Sequence, residues 1–454
     1  MQILFLTDNF PPERNAPASR TYEHAIRWVK AGHKVTVITT APNFPDGRLL
    51  DGYENSWYGK ETLDGINVIR VKTYMTANDG FLKRTLDYMS FMVAGGIAAL
   101  VQQRPDVLIS TSPQFFCAVA GWVVSRLRRL PWVFELRDLW PGAIVAVGAM
   151  KPGLAVRLLE RLELRMYRAA DMVIAVTKGL KSDLVNRGID PSKIVLVRNG
   201  VDLDHYTPRA KDPELLDRYG LRGKFIVGFL GTMGMAAALD KVVEAAELLK
   251  DRTDIALLLA GPGSQRERLV AMVAQKGLTN LVLLPGQPKD DMPRLWSLLD
   301  VSLSVIRNDP LFAHTVSSKN YEAMAMGLPI LLSMPEGECS QIICETGAGK
   351  RVTPEDPLAL ANEIRWYADS RPELAKMSQA SLRAAPNFSR DNNAMTMLTA
   401  LLNVAGLPPS QPPKSDQSGG GVARYSAKSA RSEAQMTAFT SVPATLFSQR
   451  HRPR

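Results

Sequence analysis

Cysteine is scarce in this chain of 454 residues: only Cys117, Cys339 and Cys344 occur, with no CxxC spacing and no histidine nearby. That pattern indicates neither a zinc site nor a disulfide framework, and it favours a reducing compartment. Long apolar runs are also lacking. The longest, Phe91–Val101, has eleven residues, too few to span a bilayer. The opening MQILFLTDNF has no basic segment followed by a longer apolar core, so it reads as a first strand and not as a signal peptide. No GxGxxG with a later acidic partner is present, which argues against NAD, and no GxxxxGK[ST] marks a P-loop ATPase. Clustered aspartates of the DxD type are missing from strand ends, since Asp290-Asp291 begins a helix past a loop.

Hydrophobic residues at 46% and charged residues at 22% suit a globular protein large enough for two or three cores. The net charge of +10 is unevenly placed. From Gly406 onward seven basic residues stand against two acidic ones, so half the excess lies in a Pro/Ser/Gly-rich stretch without hydrophobic period. Residues 406–454 are therefore expected to form a disordered basic tail. With the charge located there, and no aromatic-rich basic repeat or zinc finger, a nucleic-acid partner is not expected.

Short β-rich runs alternate with amphipathic stretches, the signature of α/β domains with doubly wound parallel sheets. Candidate strands in the first half are Ile3–Thr7, Val35–Thr39, Val68–Val71, Val107–Thr111, Trp132–Leu136, Met172–Val176 and Ile194–Val197. In the second they are Phe225–Leu230, Ile255–Ala260, Leu281–Leu284, Val301–Val305 and Ile330–Leu332. The expected division is a Rossmann-like domain over 1–203, a second over 204–385, a helix over 386–405 packing back on the first, and the tail. Two such sheets would face a common cleft at the carboxyl ends of their strands.

Within the second half, Ser317–Ser333 reads SSKNYEAMAMGLPILLS. The serines offer an N-cap, Gly327 can end the helix, and Lys319 and Glu322, three apart, share one face. A cation and a carboxylate at such a helix start suit a phosphorylated sugar ligand: Lys319 for phosphate, Glu322 for ribose hydroxyls. An ordinary surface pair on an amphipathic helix would look the same. Gly231-Thr232-Met233-Gly234 and Gly261-Pro262-Gly263 each follow a strand and precede a helix, where glycine lets backbone N–H groups approach phosphate. A tight turn explains either loop alone.

These residues resemble the GT-B glycosyltransferases of family GT4, from residue 1 to about 400. Pro12-Glu13 with Ala18-Ser19-Arg20, the run Ala31–Val37, the turn Asn199-Gly200-Val201-Asp202, and Ser318-Lys319 through Glu322 to Pro329 carry the likeness. Ala41-Pro42-Asn43-Phe44-Pro45, Thr111–Phe116 and Arg137-Asp138-Leu139-Trp140-Pro141 are similar to bacterial envelope-polysaccharide transferases that handle N-acetylfucosamine-type sugars. The chain departs from that branch at Met233 and Ala237, where histidines are usual, and at Gly142, where glutamate is usual. His314 replaces the broader family's first donor-site glutamate.

The resemblance implies a metal-independent, retaining hexosyl transfer from a UDP-sugar, with no cofactor, to a lipid-linked or glycan acceptor. It places donor binding at Gly231, Thr232, Met233, Gly261, Gly263, Lys319 and Glu322, and the acceptor side at Arg20, Glu135 and Arg137. Lys319 and Asp138 are the catalytic candidates, although an N-cap or an ion pair with Arg137 would also account for Asp138. Arg157, Arg161, Arg165 and Arg168 make a basic helix stripe that Glu160 and Glu163 partly neutralise. With a lipid-linked acceptor, peripheral contact with an anionic membrane and a cytoplasmic location at its inner face are expected. A nucleotide-sugar epimerase of the same architecture and a silent sugar-nucleotide-binding subunit remain alternatives.

Overall fold

A computed structural model describes residues 1–408 apart from 14, 45–46, 77–80, 147 and 149. Of the expected 406–454 tail, Leu407 still donates to the Leu402 carbonyl at 2.9 Å and packs on the first domain's core, while the part from 409 onward, like Pro45 of the Ala41–Pro45 motif, lies outside the described residues.

The first sheet contains β1 (Gln2–Leu6), β2 (Lys34–Thr40), β3 (Tyr58–Leu63), β4 (Ile66–Val71), β5 (Val107–Thr111), β6 (Trp132–Leu136), β7 (Met172–Ala175) and β8 (Ile194–Leu196). Their order is β3-β4-β2-β1-β5-β6-β7-β8, parallel except for the β3–β4 pair. Its helices are α1 (Ala16–Lys30), α2 (Phe81–Leu100), α3 (Phe115–Arg128), α4 (Gly142–Ala146), α5 (Leu154–Ala169) and α6 (Lys178–Asn186). The second sheet is wholly parallel. It contains β9 (Phe225–Leu230), β10 (Ile255–Ala260), β11 (Leu281–Leu284), β12 (Val301–Val305), β13 (Ile330–Ser333) and β14 (Gly349–Val352), in the order β11-β10-β9-β12-β13-β14.

Alternation along the strands feeds a core on each face. In β1, Ile3 and Phe5 pack on one side while Leu4 and Leu6 pack on the other. Both faces are covered by helices, so the strands read as continuous apolar runs. The two strands not anticipated from sequence are edge strands. β3 (YGKETL) alternates exposed and half-buried positions and joins β4 through Asp64-Gly65, both at positive φ; β14 (GKRV) has four residues, two of them charged. Neither carries the apolar run by which buried strands are recognised.

The chain passes between the sheets twice. Val201 and Ser389 form a parallel bridge, with Val201 N–H donating to the Phe388 carbonyl at 2.9 Å and Arg390 N–H to the Val201 carbonyl at 2.9 Å. Beyond that bridge the Arg390–Val404 helix lays Met397, Leu398 and Leu401 into the core around Trp28, whose indole N–H donates to the Ala394 carbonyl at 2.9 Å.

Candidate active site

In both sheets the strand order reverses beside the first strand of the domain, between β1 and β5 and between β9 and β12. Crevices open at the carboxyl ends of strands at such reversals. The Ser318–Ala325 helix follows β12 at the second of these. Ser317 holds the N-cap position but its side chain makes no capping bond, leaving first-turn N–H groups without that partner. Gly327, at φ +72°, ends the helix, with Leu328 N–H donating to the Ala323 carbonyl.

Lys319 reaches the end of β9. Its Nζ lies 3.6 Å from the centroid of the Phe229 ring, and a methyl group placed on Gly231 would be 3.8 Å from the same nitrogen. It forms no ion pair within 4 Å among the described residues. Burial lowers its ammonium to about 7, opposed by Cys339 and Glu322. Burial raises the Glu322 carboxyl, opposed by Lys289, by the Trp296 indole and by Lys319. An under-neutralised cation thus sits near a half-buried acid, at the end of a helix and beside the strand reversal. That arrangement can neutralise phosphate and accept hydroxyl protons.

The glycine loops differ from their expected role. Gly231 N–H donates to the Ala260 carbonyl at 2.9 Å and Gly261 N–H to the Leu284 carbonyl at 3.2 Å, so neither is available to phosphate. The loops pack on each other instead. A Cβ on Gly261 would lie 1.9 Å from the Gly231 carbonyl oxygen, and one on Gly263 would lie 2.3 Å from that of Met233, both at positive φ. Thr232 is exposed at the loop tip. Met233 corrects the expectation of a ligand-facing side chain: it is fully buried with Phe229, Leu239 and Leu259, while its backbone joins the two loops. Ala237 packs partly buried against the same core.

On the opposite wall, β6 leads to Arg137 and Asp138. Asp138 is exposed at the surface, yet desolvation by the surrounding protein raises its carboxyl to about 6 against the pull of Arg137. The guanidinium of Arg137 has its Nε and Nη1 enclosed and without hydrogen-bond partners among the described residues. Arg20 and Glu135 correct the acceptor-side assignment. They form an ion pair of 2.8 Å, 4% and 1% exposed. Arg20 also donates to the carbonyls of Val197 (3.1 Å) and Arg198 (2.9 Å) and to Asn199 Oδ1 (3.2 Å), which spends its guanidinium on the first crossover. Burial would raise Glu135, but Arg20 and Arg137 more than offset it.

His314 and Gly142 belong to the contact between the domains. A Cβ on Gly179, at the start of α6, would lie 2.4 Å from His314 Nδ1, and Gly142 faces Leu311. Sequence reasoning missed Glu338, which is buried and accepts from Gly179 N–H at 3.1 Å and from Arg198 at 2.9 Å. It also missed Lys289, which acts on Glu322 and pairs with Glu23 of α1. Arg307, likewise missed, holds the loop after Gly234 through the Met235 carbonyl (2.9 Å) and Glu355 (3.0 Å). None of the three stands in a motif.

Two parallel-sheet domains, with a lysine–glutamate helix in one and an arginine–aspartate pair in the other, fit an α/β enzyme of the group-transfer class. Residues 15–200 match the family model described as glycosyl transferase 4-like domain, and residues 213–383 that described as glycosyl transferases group 1. The chain belongs to the GT4 family of GT-B glycosyltransferases. It is 27% identical over 377 residues to the Escherichia coli protein named as colanic acid biosynthesis glycosyl transferase WcaI, covering 80% of this chain and 91% of that one. It is also 27% identical over 294 residues to the Pseudomonas aeruginosa glycosyltransferase WbjE, covering 64% and 71%. Among solved structures, sucrose-phosphate synthase of Thermosynechococcus elongatus superposes with a TM-score of 0.70 at 17% identity, over 89% of this chain and 99% of that one. Anabaena HepE in complex with UDP-glucose gives 0.67 at 18%, over 89% and 100%. These two likenesses show the fold.

Proposed function

We propose that this glycosyltransferase moves an amino sugar from a UDP-sugar to a lipid-linked saccharide during cell-envelope polysaccharide synthesis, with retention at the anomeric carbon and without a metal. Lys319, unpaired and beside Gly231 on the face it shares with Glu322, carries this reading. When the bond between the anomeric carbon and the diphosphate breaks, negative charge collects on the departing phosphate. In this reading Lys319, the uncapped start of its helix and the guanidinium of Arg137, whose Nε and Nη1 have no hydrogen-bond partner among the described residues, would receive that charge. Glu322 would accept from ribose. The acceptor hydroxyl gives its proton to the leaving phosphate, so Asp138 needs only to orient that hydroxyl. Names among the relatives, for colanic acid, and among the neighbours, for a UDP-glucose complex, support the polysaccharide and the donor.

Peripheral membrane contact belongs to the same reading. No described helix is long and apolar enough to cross a bilayer. On α2, however, Leu86, Met89, Val93, Ile97 and Leu100 stay exposed along one stripe, and Arg104 and Arg129 are exposed near its end. The test is thermal stabilisation by UDP and GDP compounds without added metal, then turnover of UDP-amino-sugars with a lipid-diphosphate acceptor. A shift with UDP and transfer without metal are expected. No shift with UDP compounds, or a strict need for magnesium or manganese, would overturn the proposal.

A further inference from the structure

An open groove of about 450 Å³ lies on the first domain between α5 and α6. One end is closed by Leu139, Pro141 and Gly142, the residues that follow Asp138, and by Leu311 of the second domain. The groove therefore starts where the acceptor wall of the cleft stops. Its α5 side presents Arg157 and Arg161, one turn apart, exposed and without an ion pair among the described residues.

In the sequence, Glu160 and Glu163 counterbalance those arginines. The fold removes one of the two. Glu163 turns inward, is buried, and is bonded to the Tyr167 hydroxyl and to Arg187 Nη2 at 2.9 Å. Burial raises its carboxyl to about 7, against the pull of Tyr167 and Arg187. Arg187 is occupied in turn by Glu163 and by Asp183 at 3.5 Å. Asp183, which also lines the groove, is paired with Arg187, so Arg157 and Arg161 face Glu160 as the one lining carboxylate without an ion pair among the described residues. Beside them, Leu154 and Leu158 are 78% and 61% exposed. At 100° per residue, both leucines fall within about 100° of Arg157 around the helix. A basic pair in the groove, bordered on the same helix by two exposed leucines just outside its lining, matches a ligand with a phosphate head and a hydrocarbon tail.

We propose that this groove holds the phosphate-bearing head of the lipid-linked acceptor, with Arg157 and Arg161 on the phosphates and Leu154 and Leu158 against the first units of the lipid chain. The assignment rests on the lipid-linked acceptor proposed above and adds its place on the protein. Neither arginine touches the donor wall, so the groove and the donor site can be tested separately.

The experiment measures binding of farnesyl diphosphate, inorganic diphosphate and phosphatidylglycerol vesicles to the full chain, with UDP stabilisation followed in parallel. All four positions are solvent-facing, so the variants should fold. Arg157→Gln with Arg161→Gln is expected to weaken farnesyl diphosphate binding about tenfold or more. Leu154→Ser with Leu158→Ser is expected to weaken farnesyl diphosphate while leaving inorganic diphosphate unchanged. Equal farnesyl diphosphate affinity in wild type and the arginine variant would overturn the proposal. So would equal affinity of the wild type for inorganic and farnesyl diphosphate, which would make the groove a plain phosphate site. Vesicle binding lost in the arginine variant, with no farnesyl diphosphate binding in any form, would assign the arginines to bulk lipid and also overturn it. If UDP gives no stabilisation while arginine-dependent farnesyl diphosphate binding persists, the donor reading falls and the groove stands.

Discussion

Lys319 is held between two protonation states at neutral pH, because burial lowers its ammonium from the usual lysine range to about 7. In the free protein the folded state binds fewer protons here than the unfolded chain between about pH 7 and the ordinary lysine value. The cost of burying this charge is therefore full below pH 7 and is relieved as pH rises. A bound diphosphate would restore the proton. UDP binding at pH 8 is thus expected to take up protons, and UDP affinity to fall from pH 7 to pH 9. Titration calorimetry in buffers of different ionisation enthalpy reads this directly. Lys319→Met should abolish the uptake and weaken UDP about tenfold to a hundredfold, the loss of one charge-assisted contact. A pH-independent affinity would remove Lys319 from the phosphate. Met233 gives the opposite lesson. Its side chain sits in the core, so Met233→His would bury an imidazole without a partner. A lower melting temperature, by about 1–3 kcal/mol in stability, is expected without gain in turnover on an N-acetylfucosamine-type donor. A faster and equally stable variant would place the residue back at the ligand.

At the scale of elements, the two glycine loops act as one unit. They touch backbone to backbone, and their N–H groups are used in extending the sheet. What they do for the site is indirect, setting where β9 ends and so where Lys319 can reach. Gly261→Ala meets both an unfavourable positive φ and a carbonyl 1.9 Å from the new methyl group. The strained backbone alone costs about 1–3 kcal/mol, and the clash adds to it. The variant is expected to melt several degrees lower and to lose UDP affinity through displacement of the neighbouring loop. Unchanged melting and binding would show that the loops are not coupled. The Arg20–Glu135 pair belongs to this scale as well. Arg20 was legible in sequence in the first loop and helix and Glu135 near a strand end, but the partners that enclose them come from 115 positions away and from the crossover near residue 198.

Over the whole molecule, Glu338 fastens the second domain to the first, by way of Gly179 N–H and Arg198. The carboxylate is nearly enclosed and Arg198 about a quarter exposed, so the contact is partly screened. Glu338→Ala should cost roughly 1.5–3 kcal/mol. It should also increase protease cleavage at the 199–208 crossover, with donor affinity reduced less than stability. Cleavage and melting identical to wild type would mean that the domains are fastened elsewhere.

The alternation of apolar strands and amphipathic helices, the two-domain plan and the Lys319–Glu322 spacing were determined by sequence alone. Each depends on local periodicity, and a strand buried on both faces or a helix face announces itself in consecutive residues. β3 and β14 escaped because edge strands have one free side and tolerate polar residues. Only the tertiary structure decided which way individual side chains turn. It sent Met233 and Glu163 inward, consumed Arg20 on a crossover, and left Arg157 and Arg161 without an ion pair and Arg137 Nε and Nη1 without a hydrogen bond among the described residues. These outcomes depend on groups brought together from distant parts of the chain, so no local pattern encodes them. A charge is neutralised by what lies within a few ångströms, not by what lies a few residues away.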